Sequence, residues 1–522
     1  MSVPARRAVV IGAGIAGLAT AALLARDGYD VEVLEQRDEV GGRAGTWRAD
    51  GFTFDTGPSW YLMPEVFDHF FALFGTSAQA ELDLVTLDPA YRVFFDDEAP
   101  LDLTTGRAPE QFEAIEPGAG ARLEEYLESA REAYDLSLEE FLYTTFSSPT
   151  RLATGSVVRR APRLARLLTT SLEKHVARRF TDRRLRQVLG YPAVFLGTSP
   201  ERAPSLYHLM SHCDLTDGVR YPLRGFGTLI DAIRRVAEGA GVRIRTGVRV
   251  TGLEVDDARA VRGVTCADGA GVASTVAADV VVGAGDLHDL ETNLLPTHLQ
   301  TFPERWWQSR DPGPGAVLVY LGIRGRLPQL AHHSLFFSAD WHANFDAVFG
   351  ADRHVPTDAS MYVCTPSRTD PSVAPEGMEN VFVLVPVPAD VTIGAGGIDG
   401  AGDELVERAA DAAIARIAEW AGVPDLAERV VLRRTVGPAD FAREYSSWSG
   451  GALGPAHTLR QSAMLRGRNA STKISGLLYA GGSTLPGIGL PMCLISAENV
   501  IKRLHDDRSS GPLPEPARSG AR

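Results

Sequence analysis

Hydrophobic alternation and helical periodicity divide the chain into elements before any single residue is weighed. Ala8 to Ile11 is a short apolar run rich in β-branched residues that closes on Gly12 and Gly14, which predicts a buried strand and a tight turn. Ile15 to Arg26 is rich in alanine and leucine and predicts a helix that Gly28 stops, after which Asp30 to Gln36 alternates as a second strand. Pro64 opens a helix on which Phe67, Phe70, Phe71 and Phe74 share one face. Residues 106 to 220 read as mainly helical. A second α/β stretch follows, with a helix over 225–241 and strands within 242–255 and 278–285. Residues 316 to 430 mix strands with one long helix at about 403–421. Leu477 to Gly482 then predicts strand and turn, followed by a helix over about 491–504, and the polar, proline-rich tail over 506–522 predicts disorder.

Two uncharged stretches imitate membrane or export signals. Ala8 to Ala25 follows two arginines, but Gly12, Gly14 and Gly17 would weaken a signal helix, and an acidic strand pattern follows. Ile474 to Ala497 is long enough to span a bilayer, yet its glycines and prolines suit a buried strand, turn and helix start. We expect neither a signal peptide nor a transmembrane helix.

At 522 residues the chain calls for two interlocked domains. Its four cysteines form no CxxC pair, so no metal site is expected and a reducing, cytoplasmic compartment fits. The net charge of -14 argues against nucleic acid as a partner. That charge is unevenly spread: Arg151 to Arg186 holds eleven basic and two acidic residues, leaving -23 on the remainder.

The chemistry starts at Gly12-Ala-Gly14-Ile15-Ala16-Gly17, a glycine turn between strand and helix. Gly12 permits the turn, Gly14 lets backbone approach a pyrophosphate, and Gly17 lets the helix pack on the sheet. The first N–H groups of the helix, at Ile15 and Ala16, attract phosphate. Glu35, with Gln36 beside it, ends the second strand where a carboxylate can accept both hydroxyls of an adenosine ribose, which disfavours NADP. Arg37 to Arg43, with Gly41, Gly42 and Arg43, resembles the second FAD fingerprint of flavoproteins of the glutathione-reductase type 2 fold. Val280 to Gly285 imitates a second dinucleotide turn, but His288 stands where a third glycine is needed, so one dinucleotide site is expected and no separate NADPH domain.

Nearly the whole chain up to about residue 505 resembles the bacterial phytoene desaturase family of FAD-dependent carotenoid desaturases and isomerases. The resemblance rests on FDTGPSW from Phe54, GVRYPLRGFGTLIDA from Gly218, QLAHHSLFF from Gln329, MYVCTPSRTDPSVAPEG from Met361 and LVPVP from Leu384. It continues through HTLRQSAMLRGRN from His457 and YAGGSTLPGIGLPMCLISAENV from Tyr479. Many members carry THPG in that last turn, where this chain has Thr484-Leu485-Pro486-Gly487. The resemblance implies an α/β fold in which a Rossmann-like FAD-binding domain (1–80, 221–290, 430–505) interlocks with an α+β substrate domain (81–220, 291–429). The helical segment 106–200 would face the membrane.

It further implies that Gly482 and Ser483 lie at the ribityl-pyrophosphate, and that Leu490, Pro491 and Met492 open a helix aimed at the flavin pyrimidine. Val250 would contact adenine through its backbone. Asp55, His332 and His333 are the weak catalytic candidates, Asp55 being equally a turn-capping residue.

The expected reaction is desaturation of a membrane-dissolved isoprenoid hydrocarbon, phytoene first, to neurosporene or lycopene. Oxygen or a quinone would reoxidise the flavin, and the basic segment Arg151 to Arg186 would dock on anionic lipid as a peripheral membrane surface. Alternatives within the family are carotene isomerase, ketolase or thirty-carbon dehydrosqualene desaturase. Flavin amine oxidase and a non-catalytic isoprenoid escort stand further off.

Overall fold

The computed structural model describes residues 5–96, 98–147 and 155–516. Its first sheet is parallel and runs, from edge to edge, Leu477–Tyr479, Val280–Gly283, Arg7–Ile11, Asp30–Leu34 and Arg243–Arg245. The central run Ala8-Val9-Val10 is apolar on both faces because both faces are covered. Val10, Val33 and Val282 face the helix Ile15–Arg26, which packs on the helices Gly227–Gly239 and Leu490–Leu504. Val9, Leu34 and Val281 face a three-stranded antiparallel sheet of Val248–Val255, Val261–Asp268 and Ala273–Ala277.

The second sheet has seven strands in the order Val430–Val436, Pro314–Arg324, Met378–Pro388, Met361–Cys364, His333–Phe337, Tyr91–Phe95 and Glu98–Leu103. All neighbours are antiparallel except Tyr91–Phe95 with His333–Phe337. Pro314↔Pro388 sets a register in which Leu318 faces Leu384, and both side chains point toward the first sheet. The opposite face, with Val317, Val319, Val383 and Val385, is covered by the helix Glu404–Trp420. Val430–Val436 pairs with Pro314–Arg324 and so belongs to this second sheet.

Helices dominate 108–215, among them Ala119–Ser137, Gly155–Thr169 and Arg183–Gly190. None of the helices among the described residues is long and apolar enough to cross a membrane. The expectation of a disordered tail is corrected over 506–516. Lys502 is fully buried, and an ammonium has three donors to satisfy; they reach Tyr143 O (2.7 Å), Ser509 O (2.9 Å) and Gly511 O (2.6 Å). The tail wraps over that charge and is pinned again by Leu513 N–H donating to Glu498 Oε2 (2.8 Å). Residues 517–522 of that expectation lie outside the described residues.

Candidate functional site

A cavity of about 570 Å³ lies between the two sheets, at the carboxyl ends of the parallel strands. Two helices start at it. Ile15–Arg26 begins at Gly14 and Leu490–Leu504 at Gly489; neither has a side-chain cap or an acid in its first turn, so their first N–H groups are left for a ligand. Gly12 has φ +100°, open to glycine at little cost, and accepts the turn by donating its N–H to Leu34 O (2.8 Å). A Cβ on Gly14 would meet nothing within 4 Å and would project into open space, whereas a Cβ on Gly17 would sit 1.9 Å from Gly12 O. Gly14 therefore leaves room for a ligand and Gly17 leaves room for the turn.

Glu35 is buried at the end of its strand. Its Oε2 accepts the Ala13 N–H (2.7 Å) and its Oε1 the Arg37 N–H (2.9 Å), which ties the two fingerprint loops together and leaves each oxygen a further lone pair. Gln36 lines the cavity and donates to Glu444 O (3.0 Å). Gly42, Arg43 and Val250 are also on the wall, as are Gly482, Ser483 and Leu490. Gly17, Pro491 and Met492 are not.

Arg43 donates to Ser447 Oγ (2.8 Å) and stands 3.9 Å from Asp286, while its buried Nε has no protein partner. A guanidinium with an unused donor on a cavity wall suits a pyrophosphate. Asp286 was not singled out from sequence. It follows the glycines of the Val280–Gly285 decoy, whose strand end delivers Ala284, Gly285 and Asp286 to the cavity. Burial raises the Asp286 carboxyl and Arg43 opposes that shift. Tyr445, facing Arg37 at 5.1 Å, lies in no motif and was missed, and Cys493, whose thiol burial pushes up to about 11, lies within the motif from Tyr479 but was given no role there.

The other end of the cavity is apolar, formed by Pro58, Leu318, Leu384, Leu453 and Ile488. Leu384 also walls a smaller pocket with Tyr191, Trp341, Phe345 and Tyr362. The turn at 483–487 has no histidine of its own, yet one arrives from elsewhere. The buried His457 ring lies so close that a Cβ on Gly487 would be 2.2 Å from it, and its Nε2 accepts the Ile488 N–H (3.1 Å).

The three catalytic candidates are off the cavity wall. Asp55 Oδ1 accepts the Phe226 N–H (2.8 Å) at the start of the helix Gly227–Gly239, and burial lifts its carboxyl to about 7. His332 and His333 sit in an aromatic box, His333 stacked on Trp60 at 4.8 Å and His332 edge-on to Tyr221 at 4.5 Å. Their Nδ1 atoms pair with Thr369 Oγ1 and Tyr362 OH, both at 2.8 Å, and burial holds both rings neutral, His332 down to about 3. With Cys364 they bring donor atoms within 4.8 Å of one another, the one fully buried grouping among the described residues that could hold a metal ion.

Residues 15–504 match the family described as flavin containing amine oxidoreductase. The chain is 40% identical over 500 residues to carotenoid 3,4-desaturase of Haloarcula japonica, covering 95% of this chain and 98% of that protein. It is 35% identical over 513 residues to zeta-carotene-forming phytoene desaturase of Myxococcus xanthus, covering 96% and 94%. Among solved structures, cyclohexylamine oxidase from Brevibacterium oxydans superposes with a TM-score of 0.56 at 16% identity, covering 96% of this chain and all of that one, a likeness of fold.

Proposed function

Because the chain belongs to the flavin-containing amine oxidoreductase family, among its carotenoid desaturases, we propose that it is a FAD-dependent desaturase of a long isoprenoid polyene. Near full-length identity to enzymes of that name carries the reading, and the two-ended cavity supports it. Gly12 to Ala16 and Arg43 would hold the pyrophosphate, Glu35 the ribose, the Val250 backbone the adenine, and Gly482 with Ser483 the ribityl side. When bound, FAD supplies the acceptor for a hydride from the substrate.

The chain's own part is positional. Glu35, Arg37, Arg43, Arg249, Asp286 and Glu444 gather toward the nucleotide end, whereas Pro58, Leu318, Leu384 and Ile488 offer a hydrocarbon no charge and no hydrogen bond. A C–H bond held there is shielded from water and fixed in orientation, which lowers the barrier by proximity.

Phytoene is the first substrate we assign, with neurosporene or lycopene as product and oxygen or a quinone as final acceptor. The 40% identity to a carotenoid 3,4-desaturase favours a second reading, removal of hydrogen from a carotene that is already coloured. Incubating flavin-loaded protein in liposomes with phytoene or with lycopene, under air or a quinone, separates them by the absorption spectrum of the product. Oxidation of amines with neither carotene changed would overturn both.

A forty-carbon hydrocarbon costs on the order of 30 kcal/mol to bring into water at roughly 0.8 kcal/mol per carbon, so the enzyme must meet its substrate at a bilayer. The helix Gly155–Thr169 buries Leu164 and Leu167 and exposes Arg159, Arg160, Arg163 and Arg166, a basic face suited to anionic lipid. Arg151, at the head of the basic segment, lies outside the described residues.

A further inference from the structure

Leu459, Met464 and Leu465 are among the most exposed large apolar side chains of the described residues, at 46, 58 and 50%, and they fall within seven positions of one another. The segment that displays them is braced. It consists of two short turns, Leu459–Gln461 and Ala463–Leu465, with Gln461 and Arg466 turned inward and buried. Gln461 Nε2 donates to Ala456 O (2.9 Å) and Asp311 O (3.0 Å), and Arg466 donates to Pro455 O (3.0 Å) and Thr484 O (3.1 Å). Ala463 is held at φ +49°, a conformation that costs a non-glycine residue free energy and here presents Met464 and Leu465 outward.

The stretch of sequence around the tip carries one sign of charge. From Tyr445 to Ala497 there is no Asp or Glu, while Arg460, Arg466, Arg468 and Lys473 fall inside the stretch, and all but Arg466 are exposed. The chain as a whole carries -14, so this is a local reversal. An exposed apolar tip with exposed cations beside it in sequence matches the headgroup and acyl boundary of an anionic bilayer. It suits a second copy of an acidic protein poorly, since that copy would have to cover three apolar side chains.

The segment also touches both features the membrane reading needs. Tyr207 OH bonds His457 Nδ1 (2.8 Å) and Ser462 Oγ (2.9 Å), and two residues earlier Ser205 Oγ donates to Leu167 O (2.9 Å) of the helix Gly155–Thr169. On its inner side, His457 and Arg466 hold Ile488 and Gly482 of the cavity wall.

We propose that residues 459–468 are a membrane-inserting loop, a second foot beside the basic helix, with Met464 and Leu465 entering an anionic bilayer. The proposal rests on the membrane-docking reading above and adds where the apolar contact is made. The helix supplies attraction that salt screens, and the loop supplies attachment that salt leaves in place. Tyr207, His457 and Arg466 link the loop by hydrogen bonds to the helix side and to the cavity wall.

The test uses the full, flavin-loaded chain and vesicles of mixed zwitterionic and anionic phospholipid, floated at low salt and at roughly 0.5 M salt. The double variant Met464→Asp/Leu465→Asp should partition roughly 30-fold more weakly at high salt. It should keep its flavin, and its turnover of substrate given in detergent micelles should stay within about twofold. Met464→Trp should bind more tightly than wild type, and the fluorescence it adds to the wild-type signal should be quenched by brominated lipid. Flotation of the double variant equal to wild type, or added fluorescence that brominated lipid leaves unquenched, overturns the loop. So does a soluble dimer that the double variant dissociates. Wild-type protein that fails to float ends both the loop and the docking reading, while micellar activity judges the desaturase reading independently.

Discussion

Two glycines of one motif should fail in opposite ways. Gly17→Ala places a methyl 1.9 Å from Gly12 O, more than an ångström inside the roughly 3 Å limit of real contacts, and both partners are backbone. Alanine gains at most about 1 kcal/mol of helix propensity at this first-turn position, but forcing the helix off the turn should cost about 3 kcal/mol or more. The net expectation is a loss of about 2 kcal/mol or more in the flavin-free protein. Gly14→Ala meets no atom within 4 Å, and losing a glycine N-cap costs only about 0.5–1 kcal/mol, so the apo-protein should remain close to wild type. Its methyl occupies the space a pyrophosphate needs, so flavin affinity should fall about tenfold or more, and Gly14→Val should abolish flavin retention. Thermal unfolding of apo-protein and titration with FAD measure the two quantities separately. A Gly17→Ala apo-protein as stable as wild type, or Gly14→Val that still purifies yellow, would refute this division of labour.

Glu35→Ala leaves the Ala13 and Arg37 N–H groups without acceptors and should weaken FAD binding by at least about tenfold, read by equilibrium dialysis. Asp55→Asn keeps an acceptor for Phe226 and should retain flavin and activity within a few fold; loss of turnover with flavin bound would restore Asp55 as a catalytic group. Neutralising Arg159, Arg160, Arg163 and Arg166 to glutamine should weaken vesicle binding at low salt and leave high-salt binding unchanged. His332 is held neutral with its pKa down to about 3, below that of an unfolded histidine, so the unfolded chain takes up a proton that the folded one refuses. Its contribution is present above about pH 6.5 and lost as pH falls. Comparing denaturant unfolding of wild type and His332→Gln from pH 6.5 to 4.5, the wild-type slope should be steeper by about 1.4 kcal/mol per pH unit, and equal slopes would show that His332 titrates normally.

What sequence conveyed best was whatever is local. Strand, turn and helix over 7–36 rest on neighbouring residues, as does the phenylalanine face of the helix Pro64–Ala72, and the structure places Phe67, Phe70 and Phe71 in the core. The helix foreseen at 403–421 spans Glu404–Trp420, and that at 491–504 spans Leu490–Leu504. What escaped was what distant segments make together. Asp286 reaches Arg43 from more than two hundred residues away, and His457 reaches the 483–487 turn from another loop. The tail read as disordered because its composition is polar, whereas the buried ammonium of Lys502 that it covers leaves no mark in the tail itself. Exposure of Met464 and Leu465 was equally hidden, since an apolar pair in a loop reads the same whether it points in or out.

The parallel sheet draws its strands from positions 7–11, 30–34, 243–245, 280–283 and 477–479, and the last wall of the cavity is laid by residues 481–493. During synthesis, therefore, the edge strand that completes the sheet follows the glycine turn by about 460 residues. The glycine turn at 12–17 must wait, with its apolar strand exposed on one side, until synthesis reaches these distant neighbours, and long-range pairing of this kind is slow. Capture of flavin is then a late event that waits for residues 481–493, so the nascent protein should depend on chaperones until they emerge, and a truncation ahead of Leu477 should yield an aggregating chain in place of a weaker binder.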